Sequence, residues 1–206
     1  MNDIIRAMEE RRSIRSFKPE MPPKEDIEQI IEAGLFAPSG RGEQATIVLA
    51  VTNKKIRDMF SESNRLIGGM KKETDPFHGA PVILIVLGDK DHPTYLYDGS
   101  LVIGNMLLAA HSLGLGSIWV HRAKEEFWLP EYKFILEKLG IEGNWEGIGH
   151  CAVGYIDGDI PSPAPRKKNR VYWLERDRSE KSQGTRLRLL TGNPLFPDSF
   201  CALFRY

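Results

Sequence analysis

Arg11, Arg12 and Arg15 stand within five residues of one another, together with the hydroxyl of Ser13. A guanidinium group pairs with a phosphate through two parallel hydrogen bonds, so this segment suits a ligand with a phosphate and several further oxygens. The alternative is simpler, because basic residues also favour the C-terminal end of a helix and need no ligand there. The spacing alone does not separate these two interpretations.

Two further segments combine small and polar residues where a helix gives way to a strand. Residues 37–44 include Pro38, Ser39, Gly40 and Gln44, and residues 114–119 read Gly-Leu-Gly-Ser-Ile-Trp. Glycine lets the main chain approach a ligand closely, so backbone amides in such segments can face a phosphate or a flat ring. A plain turn that joins a helix to a strand is the alternative for both segments.

A fourth candidate lies further along the chain, where Arg166, Lys167, Lys168 and Arg170 form a cationic cluster. Such a cluster can close on a phosphate, although a solvated basic loop is the more usual explanation of such a run.

The composition excludes several classes of function. The 206 residues are 41% hydrophobic and 27% charged with a formal net charge of zero, so the chain has no broad electrostatic footprint for nucleic acid or an anionic membrane. Residues 81–87 form the longest apolar run, which is too short for a bilayer, and the N-terminus lacks the apolar stretch of a secretory signal. Cys151 and Cys201 form neither a CxxC pair nor a set of iron–sulfur ligands. We therefore expect a cytoplasmic protein with one sizeable core and no metal.

Helices and strands that position these segments are visible in the hydrophobic pattern. The first helix follows Asp3, which we expect to cap it, and a helix at 98–113 is apolar nearly all round and so predicted to be buried. An extended surface arm is expected at 159–170 and a short last strand at 171–174. The mixture lacks regular βαβ alternation, which favours an α+β fold. The other predicted helices are 24–35, 54–67 and 131–139, and the other predicted strands are 46–51, 81–87, 117–120 and 149–156.

The domain boundary is predicted from a change in character after Glu175. Residues 1–175 are expected to form one domain, and residues 176–206 carry scattered apolar residues without a clear period. This last segment is a C-terminal extension of uncertain status: a natural extension, an arm onto a partner, or sequence foreign to the domain.

In order and spacing, these motifs resemble the nitroreductase family over roughly residues 2–174. ERRSIRSF resembles the family's RRSxRxF signature, and GLFAPSGRGEQ resembles its APSGxNxQ segment. DGSLVIGNMLLAAHSLGLGSIW is similar to its buried helix and following turn, and PRKKNRVYW stands where the family places cations on the phosphate side. The resemblance implies a mostly antiparallel central sheet flanked by helices, in an intertwined homodimer that binds FMN between its subunits.

The resemblance also implies roles for individual residues. Arg11, Arg12 and Ser13 would hold the phosphate, the ribityl chain and part of the ring edge, with Arg15 near the N1/O2 side of the flavin, where a cation stabilises the charge of the reduced ring. The second subunit would supply the small residues of the 37–44 segment. The remaining implied contacts are Pro38, Ser39, Gly40 and Gln44 from that subunit, Asn64 at the pyrimidine edge, Gly116, Ser117, Trp119 and Val120 along the ring, and Arg166 and Lys168 at the phosphate.

The implied activity is an NAD(P)H-dependent flavin oxidoreductase. A hydride would pass from NADH or NADPH through flavin N5 to a nitroaromatic, a quinone or a similar acceptor with ping-pong kinetics, and no side chain would serve as a nucleophile. Reductive dehalogenation, flavin cleavage and FMN binding without turnover are the alternatives. The chain departs from the family at Gly42, where the family often has asparagine, so one side-chain amide is missing. His121 and Arg122 follow the ring-lining strand, where they either face the substrate or lie on the rim without a catalytic part.

Overall fold

The computed structural model describes residues 1–173, of which Met1–Ala164 form one compact unit and Pro165 onward belongs to a second unit. The first unit contains four strands in the order β1-β2-β4-β3, and every pair of neighbouring strands is antiparallel. The strands are β1 (Thr46–Val51), β2 (Val82–Asp89), β3 (Gly116–Val120) and β4 (Trp145–Gly154). The helices are α1 (Asp3–Glu10), α2 (Lys24–Leu35), α3 (Lys54–Ile67), α4 (Tyr95–Ser112), α5 (Ala123–Glu126) and α6 (Pro130–Lys138). The predicted α+β class with a mostly antiparallel sheet is confirmed.

Helices cover both faces of the sheet because its central strand is apolar on both sides. Successive residues of a strand point to opposite faces, so Ile83, Ile85 and Leu87 of β2 join one core with α3, α5 and α6. The intervening Val82 and Leu84 join a second core with α2 and α4. The result is a three-layer arrangement in which β2 and β4 lie at the centre.

Several predicted boundaries need correction. Asn2 rather than Asp3 caps α1, since its side chain accepts a hydrogen bond from the N–H of Ile4 at 2.9 Å. Helix α4 begins at Tyr95, three residues before the predicted start, and β4 begins at Trp145, four residues before its predicted start. The single-turn helix α5 was not predicted. In the described chain, residues 171–173 form no strand, and residue 174 lies outside the described range, as does the predicted extension at 176–206.

Helix α4 is only partly buried in this protomer. Val102, Ile103 and Met106 are enclosed between the sheet and α2, whereas Leu101 is exposed on the other side of the helix. The apolar character of α4 was predicted correctly, but its complete burial is not achieved within one protomer.

Candidate functional site

The segment after α1 is fastened to the edge of the sheet. Ser13 forms a parallel bridge with Ser117 at the start of β3, and the N–H of Ile14 donates to the Ser117 carbonyl at 3.1 Å. The Ser117 hydroxyl in turn donates to the carbonyl of Leu107 in α4 at 3.2 Å. Three of the predicted site residues, Ser13, Ser117 and Gly116, are therefore neighbours. Gly116 is also a packing requirement, because a Cβ there would lie 3.0 Å from the Ile14 side chain.

The arginines of this segment hold N–H groups without acceptors. Arg12 donates from Nη1 to the carbonyls of Glu9 and Arg11 at 2.6 and 2.8 Å, which fixes its guanidinium against the end of α1. Within residues 1–173, Arg12 Nε and Arg11 Nη1 are buried without any hydrogen-bond partner. The ion pairs formed in that range include none from Arg11, Arg12 or Arg15. Buried donors of this kind are costly when left unpaired, and each suits an anionic acceptor such as a phosphate.

Arg15 is exposed, and its positive charge acts on His78. Burial and, to a lesser extent, the Arg15 charge hold the pKa of His78 below its ordinary value, although Asp75 acts in the opposite direction. His78 is therefore neutral at neutral pH, whereas Arg15 keeps its positive charge.

The loop after α2 is held by the first turn of α4. The N–H of Gly40 donates to Asp98 Oδ1 at 3.1 Å, and the Ser39 hydroxyl accepts from the N–H of Gln44 at 3.0 Å. The loop contains three left-handed residues in succession or nearly so: Arg41 at φ 55°, Gly42 at φ 72° and Gln44 at φ 51°. Such backbone strain persists where surrounding contacts enforce it and is common in ligand-binding segments. Pro38, Ser39 and Gln44 line a cavity of about 90 Å³ beside Asp98 and Val102.

One protomer does not bring the two halves of the predicted site together. Residues 11–15, which we call the Ser13 segment, are connected to Leu107 through Ser117. Residues 37–44, which we call the Gly40 loop, are connected to Asp98. These two positions on α4 are nine residues apart, which corresponds to about 14 Å along the helix axis. The two halves of the predicted site are thus attached to different parts of the same helix.

Trp119 and Val120 of β3 face opposite sides of the sheet. The Trp119 indole lies over Gly149, where a Cβ would come within 2.5 Å of the indole nitrogen. That nitrogen is buried without a partner among the described residues. Val120 is 8% exposed and packs in the core on the other side, and its carbonyl lies 3.2 Å from His150 Nδ1.

Asn64 has partners that the sequence did not indicate. Its side chain is fully buried, and Nδ2 donates to the His121 carbonyl at 2.7 Å and to Glu126 Oε1 at 3.3 Å. Glu126 Oε2 lies 2.7 Å from Nε2 of His150. Asn64 Oδ1, by contrast, is buried without a hydrogen-bond partner among the described residues, and the predicted contact of Asn64 with the pyrimidine edge stays a prediction. Neither Glu126 nor His150 was predicted, although a histidine inside an apolar strand was a visible signal.

Four further residues that the sequence singled out are Arg166, Lys168, His121 and Arg122. Arg166 and Lys168 belong to the second unit, where they are exposed, and their predicted contact with a phosphate stays a prediction. His121 is exposed with its ring 5.9 Å from that of Trp119, and Arg122 adopts a left-handed conformation at φ 82° with its guanidinium against Gly68.

Cys151 takes no part in chemistry at neutral pH. Burial raises the pKa of its thiol to about 12, and the charge of Arg11 only partly opposes this. Since the thiolate is the reactive form, the buried thiol is inert.

Comparison with known proteins identifies the family. The sequence profile of the nitroreductase family matches residues 8–155, well over half of the chain. This chain belongs to the nitroreductase family. The predicted resemblance is confirmed, and membership supports an oxidoreductase activity.

Individual relatives agree with this assignment. A protein of Archaeoglobus fulgidus with the provisional name NADH dehydrogenase/NAD(P)H nitroreductase is 30% identical over 160 residues, which cover 75% of this chain and 86% of that protein. A protein of Methanothermobacter thermautotrophicus with the same provisional name is 35% identical over 121 residues, covering 57% of this chain and only 60% of the relative. The solved nitroreductase with bound FMN from Bacteroides fragilis has a TM-score of 0.78 and 26% identity, covering 85% of this chain and all of that one.

Among the described residues, the helices are too short or too polar to cross a membrane.

Proposed function

We propose that this protein is an FMN-dependent oxidoreductase that passes a hydride from NADH or NADPH to a nitroaromatic, a quinone or a similar small acceptor. The carrying observation is the pair of buried guanidinium N–H groups, Arg11 Nη1 and Arg12 Nε, that have no acceptor among the described residues. In a nitroreductase-family fold, a phosphate at this position gives both groups a charge-assisted hydrogen bond. The relative from Bacteroides fragilis, which was solved with FMN, supports the same ligand.

Each residue of the Ser13 segment binds or faces a different part of FMN. Arg11 and Arg12 hold the phosphate, and Ser13 binds the ribityl chain. Arg15, which has no carboxylate partner within residues 1–173, places its charge near the N1/O2 side of the ring. A fixed positive charge there stabilises the negative charge that reduction brings to that side.

The sheet edge supplies the surface beside the ring. Gly116, Ser117, Trp119 and Val120 line it, although the side chain of Val120 points into the core. The second protomer contributes Pro38, Ser39, Gly40 and Gln44.

When bound, FMN supplies hydride transfer at its N5 atom. The protein binds the phosphate, orients the ring against β3 and keeps a cation near N1, and it needs no nucleophilic side chain. The protonated Cys151 thiol is consistent with this division of roles.

A homodimer completes the site. Ile4, Ile5 and Met8 expose one side of α1, and Leu101 exposes one side of α4. A groove of about 470 Å³ lies between the two helices, lined by residues such as Ile4 and Leu108. Contiguous apolar surface of this kind marks an interface, and a second copy there brings its Gly40 loop to the Ser13 segment of the first.

Steady-state kinetics test the proposal. Purified protein loaded with FMN should oxidise NADH or NADPH in a manner that depends on added quinone or nitroarene, with the parallel double-reciprocal plots of ping-pong kinetics. Bound flavin without acceptor-dependent turnover would overturn the enzyme assignment in favour of an FMN-binding protein. Turnover only with a halogenated aromatic acceptor would favour reductive dehalogenation instead.

A further inference from the structure

Three polar side chains that the proposed chemistry does not use meet beneath the end of β3. Asn64 of α3, Glu126 of α5 and His150 of β4 are each 0% exposed. His150 is surrounded by aromatic rings, with Phe77 and Phe60 at centroid distances of 5.1 and 6.3 Å. The three side chains therefore interact in an apolar environment that water does not reach.

Their hydrogen bonds run from one main-chain carbonyl to the next. His150 Nδ1 lies 3.2 Å from the Val120 carbonyl, and His150 Nε2 lies 2.7 Å from Glu126 Oε2. Asn64 Nδ2 donates to Glu126 Oε1 at 3.3 Å and to the His121 carbonyl at 2.7 Å. These hydrogen bonds thus connect the carbonyl of Val120, the last residue of β3, with the carbonyl of His121, the residue after it.

The chemistry of the acceptors fixes the direction of these bonds. A carbonyl oxygen only accepts, so His150 Nδ1 carries a hydrogen and donates it to Val120, as Asn64 Nδ2 does to His121. One further proton lies between His150 Nε2 and Glu126 Oε2 on either partner, so the histidine and the carboxyl group together carry no net charge. Each side-chain nitrogen of the network therefore has a partner, whereas Asn64 Oδ1 has none among the described residues. The two consecutive carbonyls both accept hydrogen bonds from the network.

Burial of this set is costly for stability alone, since apolar residues of similar volume often serve a core equally well. The presence of these buried polar side chains is better explained by a need to hold the main chain in one specific position. Immediately after the two held carbonyls, Arg122 adopts the left-handed conformation at φ 82°, so the chain turns sharply where the network grips it.

We propose that Asn64, Glu126 and His150 are positioning residues that fix the main chain of Val120 and His121 beside the flavin ring. This inference rests on the proposed function, in which β3 lines the ring. Small displacements of a group that orients reactants have large effects on rate. The network therefore sets the geometry of hydride transfer without touching FMN.

The test compares variants that break or keep the hydrogen bonds. Asn64→Leu is close in size but removes both donations. Glu126→Gln keeps the network, because its amide nitrogen donates to His150 Nε2 and its oxygen accepts from Asn64. Ser61→Ala is the matched control: Ser61 lies on the same helix one turn earlier, and its hydroxyl bonds Asp75 at 2.7 Å rather than the end of β3.

The readouts are the rate of flavin reduction by NADH or NADPH under single-turnover conditions, the midpoint potential of bound FMN and the melting temperature. We expect Asn64→Leu to slow reduction by about tenfold or more and to shift the potential, while Glu126→Gln stays within about threefold of wild type. Ser61→Ala should lower the melting temperature and leave the rate and the potential unchanged. If leucine at position 64 prevents folding, Asn64→Ser, which is too short to reach both acceptors, takes its place.

Two results would overturn the inference: a loss of melting temperature in Asn64→Leu with wild-type rate and potential, or a Glu126→Gln variant as impaired as Asn64→Leu. Measurements on the wild-type protein distinguish failure of this inference from failure of the proposed function. If the wild-type protein binds FMN but neither nicotinamide reduces it, the midpoint potential of the bound FMN still reports on the position of the main chain. If wild type binds no FMN, the proposed function and this inference fail together.

Discussion

The N–H of Gly40 donates to the carboxylate of Asp98 at 3.1 Å, so the loop after α2 is anchored on the first turn of α4. The Thr94 hydroxyl donates to the other carboxylate oxygen at 3.0 Å. Thr94 also leaves no room for a side chain at position 40, where a Cβ would lie 2.3 Å from its hydroxyl oxygen. The position of this loop is thus set by the helix whose exposed side we assign to the dimer interface.

Gly42 lies in this loop, at the position where the resemblance to the family implies an asparagine. It has φ 72°, and a Cβ added there would meet nothing within 4 Å. Asparagine tolerates the left-handed conformation better than other side chains, so glycine and asparagine are interchangeable in backbone terms here. We expect Gly42→Asn to tighten FMN binding by about two- to tenfold, as one added hydrogen bond does. Gly42→Ala is the control for backbone strain, and fluorescence titration should show no gain for it; equal affinities for the two variants would contradict the prediction.

Arg11→Gln tests the phosphate site, because Arg11 makes no other hydrogen bond from its buried Nη1 within residues 1–173. Loss of a hydrogen bond to a charged group costs about 1.5–3 kcal/mol, so the dissociation constant for FMN should rise by about 10- to 100-fold. Riboflavin, which lacks the phosphate, should lose much less. Arg6→Gln, at an exposed position of α1 that pairs with Asp3, is the control and should bind FMN as wild type does. An equal loss for riboflavin and FMN would place Arg11 away from the phosphate.

Ile4→Glu tests the dimer. Ile4 is 63% exposed and lines the groove between α1 and α4, so a charge there should split the dimer and weaken FMN binding together. Light scattering measures the first effect and flavin fluorescence the second. Phe134→Glu is the matched control, since Phe134 is also exposed, at 52%, but lies on α6. A variant that remains dimeric, or a wild-type protein that binds FMN as a monomer, would be inconsistent with a shared site.

The contact between His92 and Glu43 should make the stability of the protein depend on pH. The hydrogen bond with Glu43, at 2.5 Å, and the charges of Glu43, Asp89 and Asp91 raise the pKa of His92 above its ordinary value of 6.5. A raised pKa in the folded state adds stability that is complete below pH 6.5 and disappears as the pH rises through the folded-state pKa. The difference in melting temperature between wild type and His92→Gln should therefore be largest at acidic pH and vanish at alkaline pH. In a Glu43→Gln background the difference should vary less with pH, because only the charges of Asp89 and Asp91 then raise the pKa of His92. High salt should reduce the difference in the wild-type background because the pair is exposed.

The main elements could be predicted from the sequence because their signals are local. Helix α2 has the predicted bounds, and the apolar run in β2 identified the central strand. The single turn of α5 is too short to show a 3.6-residue period. Asn2 and Asp3 are both good caps, so only geometry decides between them. Residues 171–173 have the composition of a strand, but a strand also needs a partner that composition does not reveal.

Within the candidate site, residue types were easier to predict than partners. The sequence motif identified Ser13 and Ser117 separately, but their pairing depends on contacts between distant parts of the chain. Asn64 matched a family position, yet its hydrogen bonds reach residues 57 and 62 positions away. Glu126 and His150 had no motif at all, since a buried polar network is defined by three-dimensional proximity.

The visible absorption spectrum of the purified protein tests the central claim most directly. The account predicts a yellow protein, or one whose absorbance and melting temperature change when FMN is added, with flavin bands that bleach under anaerobic conditions on addition of NADH or NADPH. A colourless protein in which added FMN changes neither the absorbance nor the melting temperature would contradict it.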